Sequence, residues 1–349
     1  MNRFFINKFS TSSLTLVVLF FFIIIATRQT LTSSLLTLYA NQNFHWQSTI
    51  LKSISLTKSG SVHWLQLVVQ GKFPKFYLAL HKNTNVLKIN IIDANLNAKD
   101  IYLTPVLAKT TSSETPYSET LQDMGQNNPN LLAGINGGYF FINSSKKQHD
   151  QNCLGKHFPE LTSQGVGDGL LIINNNAYAT NCETNFFSEK YRTSIVQNTN
   201  QQWQIANIAP NTIPTGMVNG LGAGPGLINT INNKPQIAIH WEGIFSTFEF
   251  SANSAVILTL DSQHHTHVIF FTVDGSDKLA GMNAMEMANY IYTILPKTLH
   301  EQIISAMSMD QGHSTTMYVK NSNPQIVSNA AKDRSARDIF DGLFIAARA

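Results

Sequence analysis

The sequence predicts an α+β fold, a strand-rich mixed sheet core with a few helices packed on it, and three observations carry that expectation. Apolar runs are short and rich in β-branched or aromatic residues, Gly, Pro and Asn punctuate the chain often, and few segments have helical spacing. "WLQLVV", "FYLAL", "VLKINII", "GLLIIN", "AVILTL" and "HVIFFTV" read as strands, since such side chains suit a pleated, half-buried surface. The clearest helix is "NAMEMANYIYTIL", Asn283 to Leu295, in which Met285, Ala288, Ile291, Tyr292 and Leu295 share a face and Pro296 ends the run. A second helix is expected around "KTLHEQIISAM". Together the two make a crossover between the strand ending at Val273 and the segment entering Met307 to Met309. No internal repeat is present, and residues 41–349 are expected to form a single domain.

Residues 1–40 read separately, as a signal peptide or an N-terminal membrane anchor. Arg3 and Lys8 form a short basic region ahead of "LTLVVLFFFIIIA", an apolar core of signal-peptide length. No clean A-x-A site follows, so cleavage and anchoring both stay open. The expected location is exported: periplasmic, extracellular, or membrane-anchored and facing outward, with membrane contact through this segment if it is retained.

Hydrophobic residues make up 43% of the chain and charged residues 13%, which leaves solubility to Asn, Gln, Ser and Thr. The formal charge of +3 comes from Arg3, Lys8 and Arg28, because the remaining 21 basic residues match the 21 acidic ones. A nucleic-acid partner is excluded on this ground, since it needs clustered Lys and Arg to neutralise phosphates. Cys153 and Cys182 suit an oxidising compartment, where a disulfide is an option. His149, Cys153 and His157 recur every four residues, but Pro159 argues against a long helix there and a fourth ligand is missing. His264, His265 and His267 of "DSQHHTH" are read as a hairpin tip. No metal and no cofactor are expected.

The candidate chemistry sits in polar turns. "FFTVDGSD" delivers Asp274 at the end of an apolar strand, with Gly275 permitting a sharp turn, and "SMDQGHSTTMYV" repeats the arrangement with Asp310 and Gly312. "GINGGYFF" sets Asn136, Gly137 and Gly138 before aromatic residues, where bare backbone can approach a ligand. "GVGDGLLI" places Asp168 between glycines; an Asx-turn accounts for it as well, and it is kept among the substrate-binding candidates. "LGAGPGLI" lacks the lysine of a phosphate loop. Glu286 lies three residues after Asn283, the spacing of a capping box. Gly312-His313-Ser314 resembles the start of a nucleophile elbow, yet Thr316 stands at the second glycine and "TTMYV" continues as strand, so a serine hydrolase is set aside.

"INGGYFF", "GPGLINTINNKP", "VDGSDKLAGMNAMEMANYI", "MDQGHSTTMYV" and "RSARDIFDGLFI" follow one another in the order seen in the phosphodiester glycosidase family, which the chain resembles from about residue 60 to 346, most densely over 130–346. That family includes the enzyme that uncovers mannose 6-phosphate by removing N-acetylglucosamine from a phosphodiester. The resemblance implies an exported hydrolase that cleaves a sugar, N-acetylglucosamine among the candidates, from a sugar-1-phosphodiester of an envelope or extracellular glycan. It marks Asn136, Gly137 and Gly138 as the N-G-G turn, Asp274 and Gly275 as the D-G turn, and Asp310, Gly312 and Ser314 as what remains of a D-G-G-G-S signature, with Arg337 matching the arginine that opens the final strand. Gln311 and His313 replace glycines of that signature, and Asn253 of "SANSAV" occupies a slot where the family commonly has arginine.

The residues fit that chemistry. Cleavage at an anomeric carbon passes through an oxocarbenium-like state that a carboxylate stabilises or attacks. A guanidinium matches phosphate oxygens in a bidentate fork. The expected assignment is Asp310 and Asp274 as working carboxylates, Arg337 as phosphate clamp, and Asn136 and Ser314 as hydrogen-bonders to sugar or phosphate. The alternative is a catalytically silent envelope protein that binds a glycan phosphate on the same fold, which Gln311, His313 and Asn253 favour.

Overall fold

The computed structural model describes residues 37, 44–72, 86–109, 119–141, 166–167, 169–180, 192–210, 212–239, 242, 251–274, 281–321, 325–329 and 337–348. The chain opens with strands β1 (His45–Ser55), β2 (Val62–Lys72), β3 (Val86–Asn95) and β4 (Ile101–Leu107). Helix α1 (Leu121–Asn127) leads into β5 (Leu131–Asn136), then β6 (Phe140–Phe141), β7 (Val166–Gly167), β8 (Leu171–Ile173) and β9 (Asn176–Ala179). Next come β10 (Arg192–Asn198), β11 (Trp203–Ile208), β12 (Met217–Gly222), β13 (Gly226–Ile231) and β14 (Lys234–Ile237). The last third holds β15 (Asn253–Leu260), β16 (Thr266–Val273), helices α2 (Ala284–Thr293) and α3 (Leu295–Leu299), β17 (Gln302–Ser308), β18 (Thr316–Val319), β19 (Gln325–Asn329) and β20 (Asp341–Ala347).

An eight-stranded sheet runs β1-β2-β3-β16-β15-β17-β13-β14, and two five-stranded sheets run β19-β18-β5-β20-β4 and β11-β10-β12-β8-β9. Every named strand pair in these sheets is antiparallel, so the expected mixed sheet is corrected to antiparallel sheets and the fold is mostly β. The crossover itself is present. β15 lies between β16 and β17 and pairs antiparallel with each, which leaves the two crossover strands parallel to one another but never adjacent.

Period-two burial builds the layers. Ile89 and Ile91 of β3 and Ile269 and Phe271 of β16 pack with Met287, Tyr290 and Ile291 of α2. Their neighbours Ile92, Val268 and Phe270 face the opposite way, against Ile135, Met317, Val319, Leu343 and Ile345 of the second sheet. Each such side chain, fully removed from water, contributes about 1.5–3 kcal/mol. The far side of that second sheet is covered by α1, where Leu121 and Met124 meet Tyr318 and Phe344.

The helix signals resolve unevenly. Asn283 caps α2 by accepting from the Glu286 N–H at 2.9 Å, as its spacing predicts. Residues Ala284 to Ile291 are all buried, whereas Tyr292, expected on the buried face, is 38% exposed. The expected second helix stops after five residues: His300 takes a left-handed backbone (φ 59°), and "QIISAMS" becomes β17 because its β-branched pair pairs with β15. "FYLAL" and the pair Cys153 and Cys182, together with His149 and His157, lie outside the described residues, as does the apolar segment Leu14 to Ala26. Among the described residues, no helix is long and apolar enough to cross a membrane.

Candidate active site

The end of β17, the end of β5 and the start of β20 converge on Asp310. Its N–H donates to the Gly137 carbonyl at 3.1 Å, and its own carbonyl accepts from Asn136 Nδ2 at 2.8 Å and Ser254 Oγ at 3.1 Å. Two other chain segments, the end of β5 and the start of β15, therefore fix one backbone unit, while Asp310 stays only partly buried. The Gln311 N–H donates to Asp310 Oδ1 at 2.9 Å. Gly312 then adopts φ +64°, a conformation that suits glycine, and its N–H bonds the Ala252 carbonyl at 2.9 Å. That turn starts a single 3-10 turn, Gly312–Ser314, followed directly by β18, so the strand expected after "GHS" is present and no elbow helix forms.

Asn136 is fully buried, and both ends of its carboxamide are engaged within the protein: Nδ2 on the Asp310 carbonyl and Oδ1 on the Thr316 N–H at 3.1 Å. It positions the Asp310 turn. The close approach that Gly137 and Gly138 allow is to Asp341: the Gly137 N–H donates to its carbonyl at 2.9 Å and the Gly138 N–H to its Oδ1 at 2.8 Å. A Cβ on Gly137 would stand 1.8 Å from Asp341 Oδ1, and one on Gly138 would stand 2.2 Å from the Gly222 carbonyl oxygen. Only bare backbone fits at either position.

Asp310 and Asp341 are electrostatically linked. Burial pushes the Asp310 carboxyl up to about 6, against the opposing pull of a hydrogen bond from Ser314 and the charges of Arg337 and Arg192. Asp341 is pushed up to about 7, first by burial and further by the charge of Asp310, with the Gly138 N–H opposing. Arg337 Nη1 donates to Ser314 Oγ at 3.3 Å, and its guanidinium carbon lies 5.2 Å from the Phe140 ring centre. Arg192 lies 5.6 Å from the ring centre of the neighbouring Tyr139. Two consecutive aromatic residues thus each carry a guanidinium beside the carboxylates.

Sequence reasoning missed Asp341 and Arg192. Both had a readable signal, a charged residue opening a strand: Asp341 before Gly342 in the otherwise apolar "DGLFIAA", and Arg192 in the mixed "RTSIVQN". The search favoured carboxylates at strand ends, and these stand at strand starts.

The other candidates fall as follows. Asp274 is buried at the end of β16, where its N–H bonds the Lys88 carbonyl and its Oδ1 accepts from Ser328 Oγ at 2.5 Å. Gly275 and Asp168 lie outside the described residues. Gln311, in a glycine slot of the signature, turns its side chain inward and donates to Ser308 Oγ at 3.0 Å, and His313 points to solvent. Asn253, in the slot where arginine is common, is fully buried and bonds the Met282 carbonyl, tying β15 to the entry of α2.

A strand-built site with linked aspartates flanked by guanidinium groups has the character of a glycosidase that acts next to phosphate. The model of the phosphodiester glycosidase family matches residues 129–346, and the chain belongs to that family. No curated protein matches it significantly. Among solved structures, it is similar to the zebrafish N-acetylglucosamine-1-phosphodiester alpha-N-acetylglucosaminidase catalytic domain auto-inhibited by its pro-peptide, at 16% identity, a TM-score of 0.49, and coverage of 88% of this chain and 85% of that one. A hypothetical protein from Synechocystis aligns at 14% identity and TM-score 0.51, covering 86% of this chain and 64% of that one. A putative exported protein from Burkholderia pseudomallei aligns at 9% identity and TM-score 0.54, covering 87% and 97% respectively.

Proposed function

We propose that the protein is an exported hydrolase that releases a sugar from a sugar-1-phosphodiester, with N-acetylglucosamine one candidate sugar and an envelope or extracellular glycan the source. The observation that carries this reading is that the Gly137–Gly138 turn holds both Asp310 and Asp341, with Arg337 bonded to Ser314 beside Asp310. Asp310, the more acidic of the two, works at the anomeric carbon, and Asp341 keeps its proton to higher pH. The anomeric C–O bond breaks, the phosphate monoester leaves as an oxyanion, and water supplies the oxygen that joins the anomeric carbon and the proton that is released. Arg337 suits the phosphate, with Arg192 a second positive charge acting on Asp310; Ser314 joins Arg337 to Asp310. Asp274 is kept as a further candidate carboxylate from its strand-end position, with Asp341 taking the partner role beside Asp310, and the N-terminal segment is read as the export signal or anchor.

Sugar release from a panel of sugar-1-phosphodiesters by residues 41–349, beside the Asp310→Asn variant, tests the reading. Release abolished by the substitution supports it; equal turnover by the variant sinks it. The second reading, a silent binding protein, draws on Asn253 in the arginine slot and predicts saturable binding of the same compounds with no release.

A further inference from the structure

We infer that Asp93, His267 and Glu301 form a binding site for a first-row divalent cation of the zinc or manganese class, at the end of the eight-stranded sheet remote from Asp310. Glu301 immediately precedes β17 and Asp310 follows it, and seven strand residues separate the two ends by about 23 Å.

Strand register assembles the cluster. His267 was expected at a hairpin tip, but it lies within β16 opposite Thr259 of β15, while Asp93 of β3 pairs with Ile269, two residues along β16 and on the same face. The left-handed turn at His300 swings Glu301 in from α3. His267 Nδ1 then stands 2.7 Å from Asp93 Oδ1 and 3.2 Å from Glu301 Oε1. One imidazole nitrogen carries at most one proton, so a single N–H serves two carboxylate oxygens poorly. A cation coordinated by all three atoms, which lie within 4.8 Å of one another, answers both and balances two negative charges. A mixed imidazole and carboxylate set suits zinc or manganese better than calcium or magnesium.

The surroundings have the form of an outer coordination shell. His267 Nε2 is buried without a hydrogen bond and faces Asp261 Oδ2 at 3.5 Å, the carboxylate that would orient a metal-bound imidazole. Glu301 Oε2 accepts from Thr259 Oγ1 at 2.5 Å, which leaves Oε1 for the cation. Asp261 also lines a cavity of about 250 Å³ with Leu260, Ser262, His264, His300 and Gln302, which reaches this orienting carboxylate. The cation would tie β3 and β16 to the junction of α3 and β17. The inference does not depend on the proposed hydrolase activity.

The test is calorimetric titration of the chelator-treated protein with zinc(II), and separately with manganese(II), alongside thermal melting. The expected result is one saturable site per chain and a raised melting temperature, with affinity at least tenfold weaker in Asp93→Asn and in Glu301→Gln. Asp261→Asn, which touches no cation, should weaken binding by about 10- to 100-fold and serves where the other variants fold poorly. The double variant His264→Asn, His300→Asn should bind as the parent does. Unchanged affinity in Asp93→Asn, Glu301→Gln and Asp261→Asn, loss only in the double histidine variant, or no saturable binding of either ion would each overturn the site.

Discussion

Arg337 Nη1 donates to Ser314 Oγ at 3.3 Å, and Ser314 in turn hydrogen-bonds Asp310, so the cation assigned to phosphate and the carboxylate assigned to the sugar share one hydroxyl. On the proposed roles, phosphate binding and the chemistry at Asp310 would be coupled through residues 23 positions apart in the chain.

Arg337→Ala should lower kcat/KM for a sugar-1-phosphodiester by about 10- to 100-fold, the scale of losing charged hydrogen bonds of about 1.5–3 kcal/mol. Arg337→Lys should recover only part, because an ammonium lacks the planar fork. Steady-state kinetics on both variants check this, and an alanine variant with parental KM and kcat would remove Arg337 from phosphate recognition.

The dependence of kcat/KM on pH should be bell-shaped, rising as Asp310 ionises near about 6 and falling as Asp341 loses its proton near about 7. Asp341→Asn cannot release a proton there, so its profile should lose the falling limb. A profile in which that limb persists would reassign it to another group.

Stability should move the other way from that of an ordinary ion-paired acid. Both carboxyls keep protons in the folded chain where the unfolded chain, with its carboxyls near 3.8, has released them. Their contribution is complete below about pH 4 and is lost as pH rises through the range between 4 and about 7. Denaturant unfolding of the parent and of Asp341→Asn across that range should show a shallower decline in the variant.

Gly137→Ala should destabilise the fold by about 1–3 kcal/mol or more, since the added methyl meets Asp341 Oδ1 and the Asp341 backbone rather than a movable chain end. A melting curve that superimposes on the parent would show that β5 and β20 can separate at that point at no cost.

Much of this was legible in local pattern. Alternation in "VLKINII" and "HVIFFTV" marked central strands, Asn283 announced its helix, and Asp310, Gly312, Ser314 and Arg337 stood out through residue type and resemblance. "EQIISAM" misread as helix because its apolar spacing suits either period, and the choice was made by pairing with β15 and by the left-handed turn at His300. Asp341 and Arg192 escaped notice because a single charge at the start of a strand looks locally like a solvated end.

The sequence by itself determined the strands, the capped helix, the family and the Asp310 turn, because each rests on side-chain periodicity or on residues close together in the chain. Only the tertiary structure decided which groups meet. It set Asp341 against Gly138, brought the charges of Arg337 and Arg192 within reach of Asp310, and gathered Asp93, His267 and Glu301 at the other end of the sheet. Such meetings depend on strand order and register, which couple residues tens to hundreds of positions apart, and on burial, which sets carboxylate acidity and has no local signature.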